Sequence, residues 1–204
     1  MNTVKTQKRI MAYLLDVLLV YFLISAIISI RFINPTYEKY IESYEKYVDV
    51  MNDYSKGKIT TEQYTELNIK NIINVTKYSV SSNIVIVLVL IGYFCVFQYF
   101  NNGQTLGKKI MKIKVVSIDN KKINFSNYLL RILPVQYIFI GSVMPIILNS
   151  IFVFIFNINY YVIINSVTTY SLFFISIVSL FMIIKRDDKR GIQDIIAKTK
   201  VVEE

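Results

Sequence analysis

The chain has 204 residues, 54% of them hydrophobic, a formal net charge of +9 and no histidine. So apolar a composition, with mean hydropathy +0.45, excludes an ordinary water-soluble domain and makes lipid the solvent to reason with. The missing histidine excludes an imidazole relay and a histidine zinc site, and the single Cys95 can form no internal disulfide.

A spanning helix needs about 20 mostly apolar residues to cross about 30 Å of hydrocarbon. Four segments meet or share that requirement: about 10–30, 80–100, 132–156 and 160–184. The first opens after Lys5, Lys8 and Arg9 and is interrupted only by Asp16. It is too long for a signal peptide and lacks a small-residue cleavage site, so a retained helix is expected. The last two segments form one uncharged run, which reads as a helical hairpin turning at Asn157 and Asn159. Pro145 should kink the third helix by removing a backbone donor.

Between the first two spans, Tyr37, Ile41, Tyr44, Val48 and Met51 recur at helical spacing. Ser55-Lys-Gly-Lys58 reads as a turn, and Thr60 with Gln63 as a capping box opening a second helix. A flexible charged loop is the competing description of residues 31–79. Charge sets the orientation: the two ends and the 101–131 segment together carry sixteen Lys and Arg, against seven in 31–79. The positive-inside rule then puts both termini in the cytoplasm and the 31–79 helices outside. The expected fold is an all-α membrane protein of one domain, with four transmembrane helices and a small cytoplasmic β-hairpin.

Asp16 demands an explanation. It lies about 9 Å along the first helix from the inner interface, where a carboxylate costs about 2.5–3.5 kcal/mol on insertion scales. Arg9 is on the same helical face but should snorkel towards water. Arg131, opening the third helix, with Gln98 and Gln136, is expected to join Asp16 in a polar cluster. Such a cluster is either a proton or cation site or an ion pair that fixes packing.

The segment Gly103-Gln-Thr105-Leu-Gly107-Lys108 lacks the spacing of a phosphate loop, so nucleotide binding is not expected. The residues after it, through Phe125, read as a β-hairpin turning near Asp119-Asn120. Lys112-x-Lys114-Val-Val recurs as Lys198-x-Lys200-Val-Val, each after a pair of spans opened by Arg9 or Arg131. Duplication of a two-helix unit and coincidence in a lysine-rich composition both account for this. Both strings leave the membrane on the same side and neither has a stable partner of its own, so Met111–Ser117, Lys122–Phe125 and Thr199–Val202 are expected to meet in one small cytoplasmic sheet.

These motifs resemble the RDD family of membrane proteins, named for one arginine and two aspartates. Arg9-x-x-Ala12-x-x-x-Asp16 fits its first helix, Gly103-Gln-Thr105-x-Gly107-Lys108 its central element, and Arg131 the arginine of its next helix. Gln193-Asp194 with Thr199-x-Val201 fits its closing segment, Asp194 being the second aspartate. The resemblance implies a multi-pass protein of a bacterial cell membrane, with suggestions of solute transport or cation/proton exchange. Arg9, Asp16, Arg131 and Asp194 are then the candidate functional residues.

The expectation is a small-solute transporter or exchanger using an intramembrane carboxylate; a non-transporting scaffold is the alternative. No nucleophile–base set or cofactor loop argues for an enzyme. The expected partners are the bilayer, anionic headgroups on the cytoplasmic side, and further copies of the chain rather than nucleic acid.

Overall fold

The computed structural model describes residues 4–119, 122–132, 143–156 and 158–204. Helix α1 (Thr6–Ile28) is the first apolar segment, and it stops short of Pro35. Asn34, buried in the following turn, donates to Ser82 Oγ at 2.9 Å and ties the chain to the third helix. Helix α2 (Tyr37–Ser55) then runs beside α3 (Thr61–Ile91). Both halves of the Thr60–Gln63 capping box form, at 3.3 and 3.0 Å. Tyr54 and Tyr64 stack at 4.3 Å across the turn.

Helix α3 begins well before the apolar residues do. It continues through a π-helical turn (Gly92–Phe97) and α4 (Gln98–Phe100), giving 40 helical residues, Thr61–Phe100. At 1.5 Å per residue that is about 60 Å, twice the hydrocarbon thickness. The second apolar segment is therefore the lower half of a longer helix, whose upper half pairs with α2 instead of lipid. Short α5 (Leu106–Ile110), strand β1 (Ile113–Ser117), α6 (Phe125–Ile132) and α7 (Val143–Ile155) follow. The chain closes with α8 (Ile158–Lys185), α9 (Ile192–Ile196) and β2 (Thr199–Glu203).

Among the described residues, three helices are long and apolar enough to cross a membrane: α1, Thr61–Phe100 and Tyr160–Lys185. Helix α7 is a shorter apolar helix of 13 residues. Residues 133–142, and with them the turn that the Pro145 kink would disturb, lie outside the described residues, as does the Asn157 turn. Large apolar side chains face outward along α1 and α8; Phe22 is 74% exposed and Phe174 67%. Asp16, Thr105, Asp194 and Thr199 lie inside at 1% or less. Apolar outside and polar inside is the arrangement of a lipid-solvated bundle. Both described chain ends lie together, with Lys8 paired to Glu203 at 2.8 Å.

The expected β-hairpin does not form. Residues 122–124 are not a strand; the Asn124 amide bonds the Asn127 side chain at 3.0 Å, which starts α6 instead. Strand β1 pairs antiparallel with β2, and its Val115 amide also bonds the Gly103 carbonyl. The two K-x-K-V-V strings thus meet, with Val115 opposite Val201.

Equivalent residues facing each other place a local twofold axis between these valines. The backbone around them repeats too. The residues that open α5 and α9, Thr105 and Gly191, have φ/ψ of −86/171° and −87/178°. Their last turns end at Met111 (−82/2°) and Ala197 (−81/−1°), and Lys112 and Lys198 follow with φ of 53° and 51°. Two copies of one helix–strand hook therefore clasp each other. Cysteines at Val115 and Val201 are expected to cross-link within one chain on mild oxidation, since directly paired Cα atoms lie within disulfide range; failure to do so in folded protein would contradict the register.

Candidate functional site

Asp16 projects from α1 into the first hook. Its Oδ1 accepts from Tyr93 Oη at 2.6 Å and from the Gly107 amide at 2.8 Å. Its Oδ2 accepts from Thr105 Oγ1 at 2.5 Å. Three donors solvate the carboxylate in place of water, which is how a buried charge is tolerated. Tyr93 reaches it from the π turn, where an extra residue per turn re-aims side chains. The same hydroxyl accepts from the Leu106 amide at 3.1 Å.

The two glycines of the G-x-T-x-G element have separate reasons. A Cβ on Gly107 would lie 2.2 Å from the Ala12 carbonyl oxygen, so α5 can touch α1 only without a side chain there. Gly103 sits at φ 85°, with its missing Cβ 2.4 Å from the Val115 carbonyl oxygen. Between them, Gln104 Nε2 bonds the Ile113 carbonyl at 3.1 Å.

Asp194 is the centre of the second hook. Arg9 Nη2 lies 2.8 Å from its Oδ2, Arg131 Nη1 2.5 Å from its Oδ1, and the Gly191 amide 3.1 Å away. Arg131 also donates to Thr199 Oγ1, and Arg9 to the Lys189 carbonyl. Burial pushes the Asp194 carboxyl pKa up, but the two guanidiniums outweigh it and hold the group below the usual carboxylate range. One arginine comes from α1 and the other from α6, so Asp194 joins both halves of the chain.

The expected partnership of Asp16 with Arg131, Gln98 and Gln136 is corrected by this geometry. Arg131 turns to Asp194 instead, and it lies near the end of the described α6, which begins six residues before it at Phe125. Gln98 Nε2 donates to the Gly103 carbonyl at 2.9 Å, and Gln136 lies outside the described residues. Nor does Arg9 snorkel to water; a buried carboxylate draws it inward. Tyr93 was not legible as a partner, because a lone tyrosine in an apolar helix has the same pattern as a packing aromatic.

The two hooks border a partly open cavity of about 150 Å³ between α1 and α8, lined among others by Arg9, Asp16, Lys108, Arg131, Ser179 and Gln193. Ser179 Oγ, on α8, joins it to the second hook by donating to Gln193 Oε1 and accepting from the Ile192 amide. All four candidate functional residues thus border one space or, for Asp194, hold its walls.

An apolar-faced helical bundle with an interior charge network defines an integral membrane protein. The sequence pattern of the RDD family matches residues 3–198. The chain belongs to that family. No curated protein and no solved structure matches it.

Proposed function

We propose that this RDD-family protein is a small-solute transporter of the cell membrane, with the charged cavity as its solute site. The observation that carries this reading is the cavity itself: four charged residues from α1, α5 and α6 border about 150 Å³ of space between apolar helices. Ionisable groups inside a membrane are costly and usually mark a solute path. Asp16 acts here as the latch of the first hook, since both its oxygens accept from donors of α5, its cap and the π turn. Transport then requires the hooks to part or shift, and the hydrogen bonds of Asp16 and Asp194 set how readily they do. Uptake of radiolabelled sulfate and of rubidium into proteoliposomes, run in parallel, tests this reading. We expect wild-type protein to move one of them and Asp16→Asn to lose most of the flux. Equal uptake by empty and protein-containing vesicles would sink it.

Both termini are read as cytoplasmic, with four crossings, from the excess of Lys and Arg and from the meeting of the two ends at one level. Cysteine at Lys58 should label from outside intact cells, and cysteine at Glu203 should not. The buried Cys95 leaves the background silent. External labelling at Glu203 would reverse the orientation.

A further inference from the structure

We propose that the cavity binds a small tetrahedral oxyanion group, free or on a lipid headgroup, and that the Lys108 ammonium is its principal contact. This rests on the cavity being a ligand site, as in the transport reading, and adds the class of ligand.

Three cations, Arg9, Lys108 and Arg131, face two carboxylates, Asp16 and Asp194. A carboxylate offers about four acceptor positions, and each of these two already takes three donors. Little is left to coordinate a cation, and both arginines are committed to Asp194. Lys108 is the group left over. Among the described residues it makes no ion pair within 4.0 Å; its Nζ lies 3.3 Å from Thr105 Oγ1 and 6.0 Å from the Phe94 ring centroid. The Thr105 hydroxyl proton already points to Asp16, so that oxygen can only accept. An ammonium among apolar walls such as Ile10, Ile113 and Leu180 is costly without a counter-charge in direct contact. An anion seated in the cavity would supply it. A 150 Å³ cavity holds a molecule of about six heavy atoms, which admits sulfate or a phosphate group.

The pH dependence follows from the same surroundings. Lys108 is faced by Arg9 and Asp16 from α1, Arg131 from α6 and Asp194 from α9. Burial, with the two arginines, pushes its ammonium down to about 8 against the pull of the two aspartates. Only the protonated form attracts an anion, so affinity for sulfate, whose own charge is fixed, falls as pH rises through about 8. The loss approaches about tenfold per pH unit beyond it.

The test is sulfate binding to the full-length protein in maltoside micelles, which contain no phosphate, by isothermal titration at pH 7 and pH 9. We expect saturable binding in wild type, at least tenfold weaker in Lys108→Met, and unchanged in Lys109→Met, a neighbour outside the cavity. Lys108→Arg should restore binding and lose the pH dependence, which guards against a folding defect in Lys108→Met. Adding phosphatidylglycerol to the micelles separates the sources: displacement of sulfate assigns the site to a headgroup, and no displacement to a free anion. Equal affinity in wild type and Lys108→Met, or no saturable sulfate binding by wild type, overturns the proposal. Because binding is read without flux, Lys108-dependent binding by a protein that moves no solute would remove only the transport reading. Solute flux without sulfate binding would remove only the anion site.

Discussion

Asp194→Asn is expected to destabilise the protein by about 3–5 kcal/mol, because it leaves two buried guanidiniums without a counter-charge. Arg9 and Arg131 are only 11% and 9% exposed at their side chains, and Asp194 not at all. Asparagine keeps the shape and one acceptor oxygen but neither the charge nor the second oxygen, so one arginine loses its bond outright. Detergent melts should show a large fall in transition temperature, or protein that no longer elutes as one species. Arg9→Met should cost less, since Arg131 still pairs with the acid. Asp188→Asn supplies the comparison: it breaks a part-exposed cluster with Arg186 and Arg190, and solvent-accessible pairs contribute about 0–1 kcal/mol. Asp194→Asn as stable as Asp188→Asn would show that the second hook is not held by charge.

Gly107→Ala should be strongly destabilising for a single added methyl group. Its Cβ would overlap the Ala12 carbonyl oxygen at 2.2 Å and approach Asp16 Oδ1 at 2.8 Å, and neither backbone can retreat alone. Overpacking typically costs about 1–3 kcal/mol. Pushing α5 from α1 also stretches the Gly107 amide bond to Asp16, and a hydrogen bond to a charged group contributes about 1.5–3 kcal/mol. Gly92→Ala is the control, with open space around its Cβ at helical φ −56°; it should be neutral or stabilise by up to about 1 kcal/mol. The contrast between the two glycines in a thermal melt checks the close approach. Equal melts would contradict it.

The apolar segments, the capping box at Thr60 and the meeting of the K-x-K-V-V strands were legible because each depends on local pattern or on an obvious internal match. What escaped depended on backbone geometry. Lys122–Phe125 resembles a returning strand, yet the Asn124 and Asn127 pair begins a helix there, and a strand eighty residues downstream takes the place beside β1. The site was half legible. Asp16, Arg9, Arg131 and Asp194 stand out as charges where charge is expensive, but which acid meets which arginine is fixed by the hooks, and a hook is invisible until its positive-φ lysines and glycines are placed. Asp16 therefore looked like one end of an ion pair, whereas its partners are a tyrosine, a threonine and a backbone amide. Lys108 looked like one more headgroup lysine, and only the walls around it mark it as different.

The claim that solute passes through the charged cavity is tested most directly by blocking that space while sparing every charge. Leu180 lines the cavity from α8 and carries no polar group, so Leu180→Trp fills the space and leaves the bonds of Asp16 and Asp194 in place. In proteoliposomes loaded with equal amounts of folded protein, Leu180→Trp is expected to reduce the wild-type flux of the transported ion at least tenfold with little change in melting temperature. Flux equal to wild type in Leu180→Trp would contradict the account and place any solute path elsewhere in the molecule.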